Sequence, residues 1–199
     1  MSKIALFGGG FNPIGRHHEQ IARLIWTETG MRTFFMPCYG HRFSKNSDLI
    51  EPSHRWNMVM EVTNSPENTA LMVAFDYEIA RQHDGSMYET LTALKSSNPE
   101  TEFHVVIGMD NANNIELWDR GQWLIQLAPF LVVQCAGIEP EAEWFQHPPH
   151  RVLPFENEIH SSDIRKAIRD GRYDFARQYL HPRVWDYIAM GRLYGHGES

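Results

Sequence analysis

Lys3-Ile4-Ala5-Leu6-Phe7-Gly8-Gly9-Gly10-Phe11-Asn12-Pro13-Ile14-Gly15-Arg16-His17-His18 is the stretch from which the architecture of this chain is read. Its opening apolar run is too short for a helix and ends in glycine, so it reads as a buried first strand near residues 3–8. Three consecutive glycines, Gly8, Gly9 and Gly10, carry no Cβ and let backbone approach a ligand closely. From 16 to 29, Ile21, Leu24 and Ile25 fall on one face, which predicts a helix. A strand, a glycine bend and a helix N-terminus together form an anion site, because unpaired N–H groups and the helix dipole converge there. Arg16, His17 and His18 add donors and charge at that point. An ordinary strand-to-helix turn is the plain alternative on this local pattern.

Outward from this stretch, apolar strand-like runs alternate with helical ones. Strands are expected near 3–8, 33–37, 70–75, 103–108, 130–135 and 151–155. Helices are expected near 16–29, 52–64, 86–97 and 121–128, followed by a helical C-terminal part at about 160–195. The alternation predicts one α/β domain over residues 1–199, with a doubly wound, mainly parallel sheet. Runs such as Val105-Val106-Ile107 and Leu131-Val132-Val133 suit strands buried on both faces. Pro52 and Pro182 suit first helical turns, and residues 137–149, rich in proline and acidic side chains, read as a surface loop. In such sheets ligands bind off the carboxyl ends of the strands, so the loops after residues 8, 37, 75, 108, 135 and 155 are expected to hold the chemistry.

An apolar content of 42% and an aromatic share of 12% indicate a globular core rather than disorder. No apolar run reaches the length of a membrane span, and the chain enters a strand without a signal-peptide layout, so a cytoplasmic protein without membrane association is expected. Cys38 and Cys135 are then expected to be reduced thiols. A net charge of −7 argues against non-specific nucleic-acid binding. The basic residues are bunched at 16–18, 41–45, 54–55 and 165–172, which suits a small anionic substrate.

Two phosphate motifs fail here. A dinucleotide fingerprint needs glycines at its first, third and sixth positions, and counting from Gly8 gives Gly8, Gly10 and Pro13. A P-loop closes on Gly-Lys-Ser/Thr, and no lysine lies between Lys3 and Lys45. The segment resembles the Gly-x-Phe-Asp/Asn-Pro-x-His/Thr-x-Gly-His signature of the nucleotidylyltransferases, matched by Gly9, Phe11, Asn12, Pro13 and His18. Gly15 stands where that signature has His or Thr, and His17 where it has glycine. Successive helix-start side chains point about 100° apart, so His17 is not expected to stand in for a side chain at position 15.

Further stations follow in the order of that superfamily. His160-Ser161-Ser162-Asp163-Ile164-Arg165 resembles its Ile-Ser-Ser-Thr-x-Ile-Arg motif, with Asp163 in place of threonine and a serine expected at the helix cap. Lys45, Arg55 and Met58 resemble its stretch running from a proline loop through a lysine to Arg-x-x-Met, with His41 and Arg42 in the same loop. Gly108-Met109-Asp110, with Trp118 beyond, resembles its Gly-x-Asp followed by tryptophan. Met87-Tyr88-Glu89-Thr90-Leu91 resembles its Thr/Trp-x-Asp/Glu-Thr-Leu, with Met87 at the ring-binding position. Residues 181–194 resemble its closing segment, where Val184 and Ile188 share a packing face.

Within the superfamily the set is most similar to the nicotinamide/nicotinate mononucleotide adenylyltransferases. That resemblance implies a Rossmann-like fold, ATP and a pyridine mononucleotide as small-molecule substrates, and Mg2+ carried with ATP rather than by protein side chains. It implies His18, Arg165 and Lys45 as catalytic residues, and Gly9, Gly10, Phe11, His18, Gly108, Asp110, Ser161, Ser162 and Arg165 on the ATP. Asn12, Lys45, Arg55, Thr90 and Trp118 are implied on the mononucleotide. Two other readings stand beside it: a nucleotidylyltransferase with a different acceptor, such as phosphopantetheine, and a nucleotide-binding regulatory module. The substitutions at Gly15, His17 and Asp163 favour the module. A metal hydrolase is disfavoured, because His17-His18 and His147-Pro148-Pro149-His150 lack a helical i, i+4 histidine pair with a carboxylate between. Nicotinamide versus nicotinic acid, and whether the chain forms a homo-oligomer, stay open at this level.

Overall fold

A computed structural model describes residues 2–40, 49–83 and 86–197. Six strands form one sheet: β1 (Ser2–Gly9), β2 (Arg32–Pro37), β3 (Met72–Ala74), β4 (Thr101–Gly108), β5 (Phe130–Val133) and β6 (Arg151–Leu153). Every neighbouring pair is parallel, in the order β3-β2-β1-β4-β5-β6. Crossovers are made by α1 (Arg16–Thr29), α2 (Pro52–Thr63), α4 (Met87–Ser97) and α6 (Gly121–Leu127), and α7 (Ser161–Arg169), α8 (Tyr173–Gln178) and α9 (Pro182–Met190) close the chain. Two short helices, α3 (Tyr77–Arg81) and α5 (Met109–Asn113), were not legible in the sequence, since five residues are too few to show a helical repeat.

The strand order reverses after β1, so crossovers pass on both faces, and the sheet is doubly wound as expected. Register makes each face coherent. Leu6 lies beside Phe34 and Val105, and Val105 beside Phe130. Leu6, Val105 and Phe130 pack with Leu91, Leu94, Met109 and Leu124 from α4, α5 and α6. On the other face Ala5, Val106 and Leu131 meet Ile21 and Ile25 of α1. Phe35, on that face too, packs with Met58, Val59, Ile164, Ile168, Val184 and Ile188. This period-two alternation is why the central strands read as nearly continuous apolar runs.

Pro52 and Pro182 each sit in a first helical turn, where a missing N–H costs nothing. Residues 134–150 contain no strand or helix, as expected of a loop, yet they are not merely surface. Phe145 is fully buried, and Trp144 packs edge-on against Phe130. Two aromatic side chains repay burial more than the surrounding prolines and glutamates repay exposure.

Candidate active site

After β1 the chain turns sharply at Phe11, which has a positive φ of 45° and buries its ring edge-on against Phe7 and Phe35. A Cβ on Gly9 would come within 3.3 Å of the Phe11 ring, so a larger residue would crowd this turn. The chain then enters α1 at Gly15, whose backbone is extended and which has no side chain to cap the helix. His18 takes over that task, its Nδ1 accepting the Gly15 N–H at 3.0 Å. Because Nδ1 accepts, the ring proton resides on Nε2, which makes Nε2 a donor. Burial, and secondarily the neighbouring His17, hold the His18 pKa well below its ordinary value, so the ring is neutral.

His17 departs from the expectation set by helical spacing. Its ring lies against His18, with centroids 3.9 Å apart and planes tilted by 39°, and it folds back over Gly15. A Cβ at Gly15 would fall 2.7 Å from His17 Cε1 and 2.8 Å from its Nδ1. Side-chain rotamers thus undo the 100° backbone offset between these positions. Burial, with a smaller contribution from His160, pushes the His17 pKa down to about 4.

The second phosphate station arrives from the far end of the sequence. His160, not a serine, is the N-cap of α7, and Asp163 Oδ2 accepts the His160 N–H at 2.8 Å. The Asp163 carboxylate therefore completes the helix cap. Ser161 is freed to reach across and donate its hydroxyl to the Pro13 carbonyl at 2.9 Å. Arg165 donates from Nη1 to the Asn12 carbonyl at 2.8 Å. Ser162 is exposed in the first turn of the helix. The glycine bend and the Ser-Ser-Asp helix start are thereby one structure.

Three residues expected on the mononucleotide do other work. Arg55 is fully buried, donating to the carbonyls of Gly10, Ile50 and Tyr39 at 3.0, 3.1 and 3.0 Å. It ties the glycine bend to the chain after β2 and presents no surface to a ligand. Asn12 is also buried, its Oδ1 accepting the Tyr194 hydroxyl at 2.8 Å. Thr90 is enclosed and donates to Glu78 Oε1 at 3.3 Å, so it lies behind the wall of the site. Polar side chains without a bonding partner are costly to bury, and the fold uses these as internal braces. Lys45, His41 and Arg42 lie outside the described residues.

A cavity of about 270 Å³ opens over the carboxyl ends of β1, β2 and β4. Gly9, Gly10 and Gly108, expected on the ATP, and Trp118, expected on the mononucleotide, share its wall with Phe7, Cys38, Glu78, Ser86, Asn111 and Asp119. Asp110 is exposed in the first turn of α5, its Oδ1 only 2.7 Å from where a Cβ on Gly108 would stand. Burial raises the Cys38 thiol pKa, so it stays protonated. Glu78 gave no signal in the sequence, because α3 is too short to show. Asp119 and Asn111 could have been found as neighbours of Trp118 and Asp110.

A second, larger cavity of about 710 Å³ lies beside the start of α1, lined by Arg16, His17 and Gln20 and by residues after β5 and β6. His18 packs on Phe7, a wall of the first cavity, and His17 lines the second. Among the described residues no group of three or more His, Cys, Asp or Glu side chains could hold a metal ion, and no helix is long and apolar enough to cross a membrane.

The fold is shared with enzymes of known structure. The Plasmodium falciparum nicotinic acid mononucleotide adenylyltransferase complexed with NaAD superposes over 100% of both chains, with a TM-score of 0.85 and 24% identity. The same enzyme complexed with APC gives 0.84 and 22% over 100% of both chains. Thermotoga maritima TmcAL bound with alpha-thio ATP is more distant, at 0.55 and 10% identity, covering 99% of this chain and 57% of that one. In sequence, the family model described as cytidylyltransferase-like matches residues 6–167, from the first strand through the helix that carries Arg165. The chain belongs to the cytidylyltransferase-like family.

Proposed function

We propose that this protein transfers the adenylyl group of ATP to nicotinic acid mononucleotide or nicotinamide mononucleotide. The observation that carries the reading is that His17 lines the larger cavity and lies against His18, which packs on Phe7 in the wall of the first, beside a loop held by Ser161 and Arg165. Two nucleotides lying in these cavities would bring their phosphates together at that point. The first cavity, with Trp118 in its wall, suits a flat pyridine ring, and the second suits adenosine. The likeness to a structure holding NaAD supports this acceptor class.

In the transfer, a phosphate oxygen of the mononucleotide attacks the α-phosphorus of ATP. The new P–O bond forms as the bond to pyrophosphate breaks, in line and without a covalent enzyme intermediate. Positioning and charge stabilisation supply the acceleration. The neutral His18 offers Nε2–H to a phosphate oxygen, and Arg165, braced on Asn12, places a positive charge beside the same loop. Gly9 and Gly10 allow backbone to approach. ATP would carry Mg2+ as part of the substrate, and that ion would supply neutralisation of the charge on the pyrophosphate leaving group. A cytoplasmic location fits this reading.

The test is incubation with MgATP and each mononucleotide, followed by product mass and pyrophosphate release. A dinucleotide from at least one of the two is expected. Tight ATP binding with no product from either would overturn the assignment in favour of a nucleotide-binding module.

A further inference from the structure

We propose that His17 is a second imidazole of the transfer site, contacting the phosphates of the nucleotide in the larger cavity, and that residue 15 is glycine because this ring occupies its side-chain space. The inference rests on the adenylyl-transfer reading and adds to it a residue that the motif resemblance leaves unassigned.

Four observations carry it. The ring lines the larger cavity beside Arg16 and Gln20, at the N-terminus of a 14-residue helix. It lies against His18 with centroids 3.9 Å apart and planes at 39°, which sets the two imidazoles side by side at the helix start. Its Nδ1 is enclosed and, among the described residues, has no hydrogen-bond partner. The ring sits against His18 and in the space that a Cβ at Gly15 would take.

The charge state fits the geometry. Two imidazolium rings this close would repel, and burial keeps both neutral near pH 7. A neutral imidazole is a directional N–H donor that does not trap the product dianion as a fixed cation would.

Gly15 provides an unusually specific probe. Its φ of −109° and ψ of 169° are accessible to any residue, so alanine there does not strain the backbone. Its Cβ would nonetheless stand 2.7 Å from the His17 ring, which must move away. Gly15→Ala should therefore reproduce His17→Ala. Each is expected to lower kcat ten- to a hundredfold with a thermal midpoint close to the parent protein. The double variant is expected to be no slower than either single one, because both remove the same contact.

A second measurement does not depend on turnover: ring signals of His17, followed by NMR, should shift when MgATP is added without acceptor. If the unaltered protein forms no dinucleotide, the transfer reading fails, yet the MgATP titration still decides the contact. Unmoved His17 signals would overturn the proposal. So would full kcat in His17→Ala, or losses in the two single variants that multiply in the double.

Discussion

Arg165 Nη1 lies 2.8 Å from the backbone carbonyl of Asn12, although 153 residues separate them. The bond fixes one edge of a guanidinium against the bend that follows β1, so a single cationic side chain ties α7 to that loop. Arg165→Ala is expected to lower kcat by about a hundredfold or more, as loss of one preorganised donor commonly does. Arg165→Lys should recover little, since an ammonium cannot hold the carbonyl and a phosphate in the same fork geometry. Steady-state pyrophosphate release measures both, and near-parental turnover in Arg165→Lys would show that charge alone suffices.

His18→Ala removes the acceptor of the Gly15 N–H together with the Nε2–H donor. Turnover should fall by roughly two orders of magnitude. The lost cap on α1 should cost about 1 kcal/mol of stability. Denaturant unfolding and kcat, measured on one preparation, separate the two effects; a large stability loss with intact kcat would make His18 a capping residue only.

Arg55 should behave in the opposite way. Arg55→Met deprives three carbonyls, those of Gly10, Ile50 and Tyr39, of their donors in a fully buried setting. A loss on the order of 3 kcal/mol or more is expected in urea unfolding. The KM for the mononucleotide, measured below the new midpoint, should change far less than it would for a direct contact.

Acid should destabilise the protein through the imidazole pair. The unfolded chain takes up a proton at His17 near the ordinary 6.5, whereas the folded protein resists until about 4. Between these values the unfolded state binds more protons, so stability is complete above pH 6.5 and is lost as pH falls toward 4. The thermal midpoint should drop across this window, and His17→Gln should flatten part of the slope. The remainder would come from His18, whose pKa is also lowered by burial. An identical slope in His17→Gln would show that His17 titrates normally.

Trp118→Ala should raise the KM for the pyridine mononucleotide about tenfold by removing a ring face from the first cavity, leaving the KM for ATP nearly unchanged. A matching rise for ATP would place the adenine, not the pyridine, against Trp118.

Much of this was legible before any coordinates. The apolar run of 3–8, the glycine bend and the helix over 16–29 appear at the expected places because each is dictated by neighbours in sequence. So does the alternation that makes the sheet parallel. Motif spacing likewise pointed to Gly9, Gly10, Gly108 and Trp118, which line one cavity. Roles that depend on what lies across space were not legible. Arg55 and Asn12 carry donors and acceptors suited to a phosphate or sugar, but carbonyls and a tyrosine from distant segments satisfy them in the interior. Whether a polar side chain binds a ligand or braces the fold depends on burial, which is a property of the packed molecule.

The sequence by itself determined the order of the strands and of the longer helices, and the presence of an anion-seeking bend, because backbone preference and hydrophobic period are local. Only the tertiary structure decided that Ser161 and Arg165 close on that bend, that Asp163 serves its own helix cap, and that the His17 ring fills the space above Gly15. Those outcomes depend on rotamers and on contacts between residues far apart in the chain, which no local pattern encodes.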